Sequence, residues 1–259
     1  MTTVATISDL HGTLPVLPDI QVDVLVLAGD ICPDYAPRTP QGVYQQSRWL
    51  DTEFRRWLEP IAEQGVEIVA TWGNHDYLGE AREYQPLFDD LPWNLLVDED
   101  VRLECGLHVW GTPWTPRLPY WAFYGTNNTL RLRAEAIPKG VDLLISHGPP
   151  FRYGDLVPAP PRDSLRARKY RQEGDEHVGD KTLNKAILRA QPKLTVCGHI
   201  HEARGSYMLN SHPVVNVSAV DERYNLYEKP WTVFEYTGQG FSRSTDYGAG
   251  RIRTDISDL

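Results

Sequence analysis

The sequence predicts an α/β fold in which two packed mixed β-sheets are flanked by helices, and three observations carry that prediction. Short apolar runs recur along the 259 residues, helical periodicity falls between some of them, and polar residues gather directly after the runs. Runs of this length, bounded by turn residues, read as buried strands. They are Val4 to Ile7, Val22 to Ala28, Val66 to Ala70, Leu107 to Trp110, Leu143 to Ile145, Leu194 to Cys197, Val214 to Val217 and Trp231 to Phe234. Between the second and third, Val43, Leu50, Phe54, Trp57, Leu58 and Ile61 recur at helical spacing and mark one amphipathic face. A second helix starts at Asp180, a good cap, turns Leu183, Ala186, Ile187 and Ala190 toward the core, and stops before Pro192. Strand, helix, strand order in the first half implies parallel pairing, while the closely spaced strands after Leu194 imply antiparallel hairpins.

With 41% hydrophobic residues, the chain can fill one substantial core, which is expected to span residues 1–236. The segment 237–259 is poor in apolar residues and reads as a C-terminal extension, a strap or a partly disordered tail. There is no internal repeat or low-complexity linker. The start, MTTVATISDLHG, carries no basic leader, and no run approaches the roughly 18 apolar residues of a membrane helix. Cys32, Cys105 and Cys197 form no CxxC pair, so neither a disulfide framework nor a thiolate zinc site is indicated. A cytoplasmic location with no membrane partner is the expectation. The net charge of -9 argues against stable nucleic-acid binding but leaves room for a small anionic substrate, because bound dications reverse the sign of a local site. No heptad or self-complementary seam fixes an oligomeric state.

The polar residues after the strands carry the chemistry. Asp9-Leu10-His11 follows the first run, Gly29-Asp30 the second, Gly73-Asn74-His75-Asp76 the third, Ser146-His147-Gly148 the fifth and Gly198-His199-Ile200-His201 the sixth. Five of the eight histidines sit in these positions. In open α/β sheets the carboxyl ends of strands converge on one crevice, so residues far apart in sequence can meet there. Carboxylates, an amide oxygen and imidazoles form a mixed oxygen and nitrogen set suited to zinc, manganese or iron, whereas calcium prefers oxygen alone. The set exceeds one tetrahedral ion and suits two ions sharing a carboxylate. Two such ions about 3.5 to 4 Å apart hold a bridging hydroxide and clamp the attacking and leaving oxygens at phosphorus.

In this order, DxH, GD, GNHD, a lone His and GHxH resemble the calcineurin-like metallophosphoesterases, over Asp9 to His201. The stretches WGTPW at Trp110 to Trp114, SHGPP at Ser146 to Pro150 and PKLTVCGHIHE at Pro192 to Glu202 are similar to the metallophosphoesterase-domain-containing (MPPED) branch, related to class III cyclic nucleotide phosphodiesterases. The resemblance implies an αββα sandwich. It implies that Asp9, His11 and His201 bind one metal, that Asn74, His147 and His199 bind a second, and that Asp30 bridges them. Manganese is the metal expected in vitro, with iron or zinc as alternatives. His75 would then serve the leaving group as proton donor or charge stabiliser, and Asp76 would orient its ring. The implied reaction is hydrolysis of a phosphodiester by a metal-bridging hydroxide, with 2',3'- or 3',5'-cyclic AMP as the implied kind of substrate. The alternatives are a phosphomonoesterase, protein phosphatase or nuclease on the same site, or a metal or nucleotide binding module without turnover. Because His75 and His201 are both present, the resemblance implies a competent enzyme.

Other segments have plainer readings. His108, His177 and His212 read as surface or hydrogen-bonded histidines, and Cys32 as a small buried side chain. The aromatic stretch Trp110 to Gly125 reads first as a proline-rich loop anchored by buried rings and second as a wall for a nucleobase. Asn127 and Asn128 read as turn residues. The basic stretch Pro158 to Gly174 reads as a solvated segment before a flap over the metals.

Overall fold

Each apolar run becomes a strand in the computed structural model, which describes residues 1–36, 38–116, 118–159 and 175–243. The first sheet contains β1 (Thr2–Ile7), β2 (Val24–Ala28), β3 (Glu67–Thr71) and β4 (Asn94–Leu95), side by side and parallel. Its other edge is formed by β15 (Thr232–Tyr236), antiparallel to β1, and β16 (Phe241–Arg243), antiparallel to β15. The second sheet has a parallel centre of β6 (His108–Thr112), β9 (Leu143–Ser146), β12 (Leu194–Cys197) and β14 (His212–Asn216). Antiparallel edges are supplied by β5 (Glu99–Arg102) and β13 (Gly205–Leu209). Two short pairs stand apart from the sheets: β7 (Thr115–Pro116) with β8 (Tyr124–Gly125), and β10 (Leu156–Val157) with β11 (Glu176–His177).

Alternation along each strand explains the layering, because successive side chains point to opposite faces. Val4, Val24, Val26 and Val69 meet Val109, Leu143, Ile145, Val196 and Val215 between the sheets. The opposite face of the first sheet, including Ile7, Leu25, Leu27, Ile68 and Ala70, packs with Phe54, Leu58 and Ile61. Those residues lie on a helical stretch built from α1 (Pro40–Trp49), a π-helical segment at Leu50–Phe54 and α2 (Arg55–Ala62). On the outer face of the second sheet, Trp110, Leu144 and Val214 pack with α4 (Asn127–Ala136) and α5 (Lys181–Ala190). A short helix, α3 (Gln85–Asp89), precedes β4. The order is helix, sheet, sheet, helix. Burial on both faces is why the strands read as continuous apolar runs.

Asp180 caps α5 by accepting from the Thr182 amide at 2.7 Å, and the helix ends on left-handed Gln191, before Pro192. Two expectations require correction. β12 and β14 pair in parallel, so among the described residues after Leu194 the hairpins are β13 with β14 and β15 with β16. Asn127 and Asn128 open α4, because Thr126 Oγ1 accepts the Thr129 amide at 3.3 Å and starts a helix where a turn was read. Residues 241–243 of the C-terminal extension join the first sheet, while residues 244–259 lie outside the described ones.

What matters for the site is where the strands end. β1, β2 and β3 deliver Asp9, Asp30 and Asn74 just beyond their carboxyl ends, and β9 and β12 deliver His147 and His199. Ser8 bridges to Ser218, and its amide donates to Val217 O at 3.1 Å, stitching the end of β1 to the second sheet. The two strand-end rows therefore face one another.

Candidate metal centre

The backbone at these strand ends is strained. Asp9, His11, Asp30 and His199 have φ of 56°, 44°, 52° and 70°, a left-handed region that side chains other than glycine seldom enter. Such strain costs about 1 to 3 kcal/mol per residue and persists only where surroundings over-determine it. Here they do: the amides of Asp9, His11 and Gly12 donate to Gly29 O, Asp30 O and Ile31 O, each at 3.0 Å. Two glycines permit the close approach. A Cβ on Gly73 would stand 2.2 Å from Asp30 Oδ1, and one on Gly198 would stand 2.4 Å from Asp9 Oδ2.

Two groups of candidate ligands match the expected sets, and a third, His11, Asp34 and His75, adjoins them. Asp9, His11 and His201 offer atoms within 4.8 Å of one another, as do Asp30, His147 and His199. His11 Nε2 lies 3.4 Å from His201 Nε2, and His201 Nε2 lies 3.6 Å from Asp9 Oδ1. Asn74 joins the second group, its Oδ1 being 3.0 Å from His147 Nε2. Asp30 stands between the groups. Its Oδ1 accepts the His75 amide at 2.7 Å, leaving Oδ2 at 3.9 Å from His11 Nε2 and 3.3 Å from His147 Nε2.

The donor set fits divalent cations for a reason visible in its hydrogen bonds. His147 Nδ1 donates to Ala28 O at 2.9 Å and His201 Nδ1 to Asp221 O at 3.1 Å, which turns both Nε2 atoms inward. In the neutral tautomer His147 Nε2 is then a lone pair facing Asp30 Oδ2 and Asn74 Oδ1, acceptor against acceptor. A cation or a proton must sit between them. Without a metal, burial opposes protonation of His147, but the Asp30 charge outweighs it and pushes the imidazole up to about 9. His201 likewise rises to about 9 against its burial, through its bond to Asp9. His199 goes the other way, down to about 3, through burial and the neighbouring His147. Imidazoles whose second nitrogen is fixed by a backbone carbonyl are the usual form of metal-binding histidine.

Around GNHD the side chains are arranged differently from the reading of neighbours in sequence. Asp76 does not hold His75. Its Oδ1 accepts the amides of Ile31 at 2.9 Å and Cys32 at 2.8 Å, and its Oδ2 accepts that of Gly73 at 2.7 Å. The carboxylate is fully buried and ties the loop after β2 to the loop after β3. The partner of His75 is Asp34, bonded to its Nδ1, with His11 Nδ1 3.5 Å from the same carboxylate oxygen. Burial alone would lower the His75 pKa, but the charge of Asp30 and the bond to Asp34 raise it. Gln46 also escaped sequence reasoning. Wholly buried on α1, it donates to His75 O at 2.8 Å and accepts the Leu78 amide at 3.0 Å, fixing the backbone that carries His75. The signal for Asp34 was a second carboxylate four residues past Asp30; nothing in the sequence pattern marked Gln46.

The remaining residues divide. Cys32 is buried. His108 is buried and its Nε2 lies 2.8 Å from Asp100, and His177 Nδ1 bonds buried Asp155 at 2.7 Å, so both have structural partners. In the aromatic stretch Trp110 and Phe123 are buried, as an anchored loop requires, whereas Trp121 stands against the His75 ring with centroids 4.2 Å apart. Most of the basic stretch, 160–174, lies outside the described residues.

Residues 2–203 match the family model described as calcineurin-like phosphoesterase. The chain belongs to that family. As a calcineurin-like phosphoesterase it is a metal-dependent phosphoester hydrolase that uses divalent ions. It is similar to human metallophosphoesterase domain-containing protein 1, with 28% identity over 248 residues, covering 86% of this chain and 68% of that protein. A Caenorhabditis elegans UPF0046 protein is 31% identical over 143 residues, covering 54% of this chain and 33% of its own length. These relatives bear out the branch suggested by WGTPW, SHGPP and PKLTVCGHIHE. The crystal structure of TT1561 from Thermus thermophilus aligns with a TM-score of 0.55 over 94% of this chain and 98% of its own, at 14% identity, and so supports the fold alone. No helix among the described residues is long and apolar enough to cross a membrane.

Proposed function

We propose that this calcineurin-like phosphoesterase is a dinuclear phosphodiesterase acting on small diesters, cyclic nucleotides among them. The observation that carries the reading is the placement of Asp30, whose Oδ2 faces the imidazoles of both ligand groups at 3.9 and 3.3 Å. On this reading Asp9, His11, Asp30 and His201 hold one ion, and Asp30, Asn74, His147 and His199 hold the other. Two divalent ions, manganese in vitro, would supply Lewis-acid activation of a water and of the phosphoryl oxygens.

The chain's own residues complete the chemistry. His75, whose protonated form burial opposes but Asp30 and Asp34 favour, donates a proton to the departing oxygen. Asp34 orients the ring through Nδ1, and Gln46 and the Asp30 carboxylate fix the main chain of His75. Asp76 acts through the loop backbone and is a positioning residue. The partner is a small phosphodiester or nucleotide rather than a nucleic acid, in keeping with the net charge of -9. Free cysteines at Cys32, Cys105 and Cys197 suit a reducing cytoplasm.

Steady-state turnover of a manganese-loaded preparation on 2',3'-cyclic AMP, 3',5'-cyclic AMP, bis-p-nitrophenyl phosphate and p-nitrophenyl phosphate tests this. Preference for a cyclic nucleotide supports the proposal. Activity on the monoester alone replaces it with a phosphomonoesterase, and inactivity on all four replaces it with a binding module.

A further inference from the structure

Two aromatic residues outside the family's ligand blocks stand on the imidazoles of the site. Tyr224 places its ring against His11 and His201, with centroids 4.7 and 5.1 Å away, yet remains 49% exposed. Its backbone is left-handed, φ 63°, which a bulky side chain adopts only where the surroundings impose it. The surroundings are a tight turn closed by Asp221. The Asp221 carboxylate accepts the amides of Arg223 and Asn225 at 2.8 and 2.9 Å, and its carbonyl accepts the Tyr224 amide at 3.0 Å. That carbonyl also accepts from His201 Nδ1 at 3.1 Å, so one turn fixes both the histidine and the tyrosine over it.

Trp121 occupies the other side. Its ring lies 4.2 Å from that of His75 and stacks on Tyr77 at 5.9 Å. The loop is held in place, since the Ala122 amide donates to Asn74 O at 3.1 Å, the Phe123 amide donates to Glu80 at 3.1 Å, and Arg38 binds both Glu80 and Trp121 O. Rings therefore run Trp121, His75, His11, Tyr224 across the site, each imidazole edge-on or tilted to the next. Tyr77, whose ring stacks on Trp121, has a buried hydroxyl without a hydrogen-bond partner among the described residues.

Nothing in metal binding requires an aromatic residue on either side of the imidazoles. A half-exposed tyrosine held in a strained turn is costly unless its free face is used. We propose that Tyr224 and Trp121 form a subsite for a planar organic group of the diester, a nucleobase or aryl ring. Stacking of this kind tolerates different bases, because every base presents a π-face. The proposal rests on the phosphodiesterase reading and adds which residues recognise the group attached to phosphorus.

The experiment compares two diesters with the same five-membered cyclic phosphate, 2',3'-cyclic AMP and glycerol 1,2-cyclic phosphate, in wild type, Tyr224→Ala, Tyr224→Phe and Trp121→Leu. The readout is the ratio of kcat/KM between them. Wild type is expected to favour the nucleotide by about tenfold or more, a ratio that drops about fivefold or more in Tyr224→Ala and Trp121→Leu and is kept in Tyr224→Phe. A proportionate loss on both diesters overturns the subsite, because it would report damage to the metal site only. Calorimetric binding of AMP and of ribose 5-phosphate to the manganese-loaded proteins runs in parallel. If neither diester is hydrolysed, the phosphodiesterase reading falls and binding decides: tighter AMP binding lost in Tyr224→Ala sustains the subsite, and equal binding of the two phosphates overturns it. Since Tyr224 is half exposed, its variants decide the matter even if Trp121→Leu fails to fold.

Discussion

Asp76→Asn separates two roles that the sequence alone confuses, since Asp76 adjoins His75 but points away from it. The buried carboxylate accepts three backbone amides, from Ile31, Cys32 and Gly73, at 2.9, 2.8 and 2.7 Å. An asparagine has one oxygen for these donors, and its amide group would face at least one N–H it cannot accept. A hydrogen bond to a charged group contributes about 1.5 to 3 kcal/mol, and a buried donor left alone costs about 1 to 3 kcal/mol. Against this, removing the charge relieves burial and repulsion from Asp30, which push the Asp76 carboxyl up to about 6. The balance is a loss of about 3 kcal/mol, or a fall in Tm of about 6 to 12 °C for a domain of this size. The assay is thermal unfolding of chelated protein, so that lost metal does not add to the effect, alongside the pH profile of kcat/KM in metal-loaded protein. Asp34→Asn is the control. Because Asp34 raises the pKa of His75, its loss lowers that pKa; activity that needs protonated His75 then fades at lower pH, and the alkaline limb moves down. Unchanged stability in Asp76→Asn, with the alkaline limb moved by that variant and not by Asp34→Asn, would refute the assignment.

Gly198→Ala should lower metal content and cut turnover by about tenfold or more, since a Cβ there stands 2.0 Å from Ser8 Oγ and 2.4 Å from Asp9 Oδ2; elemental analysis beside kinetics checks it. Metal binding at pH 7 should release about two protons, because His147 and His201 are each pushed up to about 9 without metal, so calorimetry in buffers of different ionisation enthalpy should give different heats. As the pH falls further below 9, protons compete more strongly and apparent affinity should drop. Asn216→Ala should destabilise the chain by about 3 kcal/mol, read by urea unfolding: its buried Nδ2 donates to Gly154 O, Gly198 O and Ile200 O, and its Oδ1 accepts the Ser218 amide.

The strands were legible because both faces are buried, so each reads as an apolar run, and the change to polar residues at their carboxyl ends marks where the site lies. Val24 to Ala28 followed by Gly29-Asp30 is a clear case. Direction of pairing was less legible. β14 follows β13 through a tight hairpin and so looked antiparallel to everything near it, yet it turns back to run parallel with β12, a pairing set by the sheet rather than by loop length. The α4 start was misread because Asn127 and Asn128 have turn character, while the deciding contact is a single hydroxyl, Thr126 Oγ1, on the Thr129 amide.

The limits within the site have one physical origin. Sequence neighbours in a left-handed or tight turn do not share a direction, so adjacency in GNHD says nothing about which side chains touch. His75 turns outward to Asp34 and Trp121, while Asp76 turns inward to three amides. The same strain that makes pairing hard to read brings distant residues together. Left-handed Asp30 ends β2 abruptly, freeing the following loop to place Asp34 beside both His11 and His75. Left-handed Tyr224 folds its turn back over His11 and His201. Positive φ at Asp9, His11, Asp30, His199 and Tyr224 thus gathers at the site, although Arg38, Asp98, Arg152, Gln191 and Asn210 adopt it elsewhere. Relieving one such strain, by glycine at Tyr224, should leave stability nearly unchanged or raised, while removing the ring the site uses; a stabilised protein with intact discrimination between 2',3'-cyclic AMP and glycerol 1,2-cyclic phosphate would mean that the strain serves the turn and not the substrate.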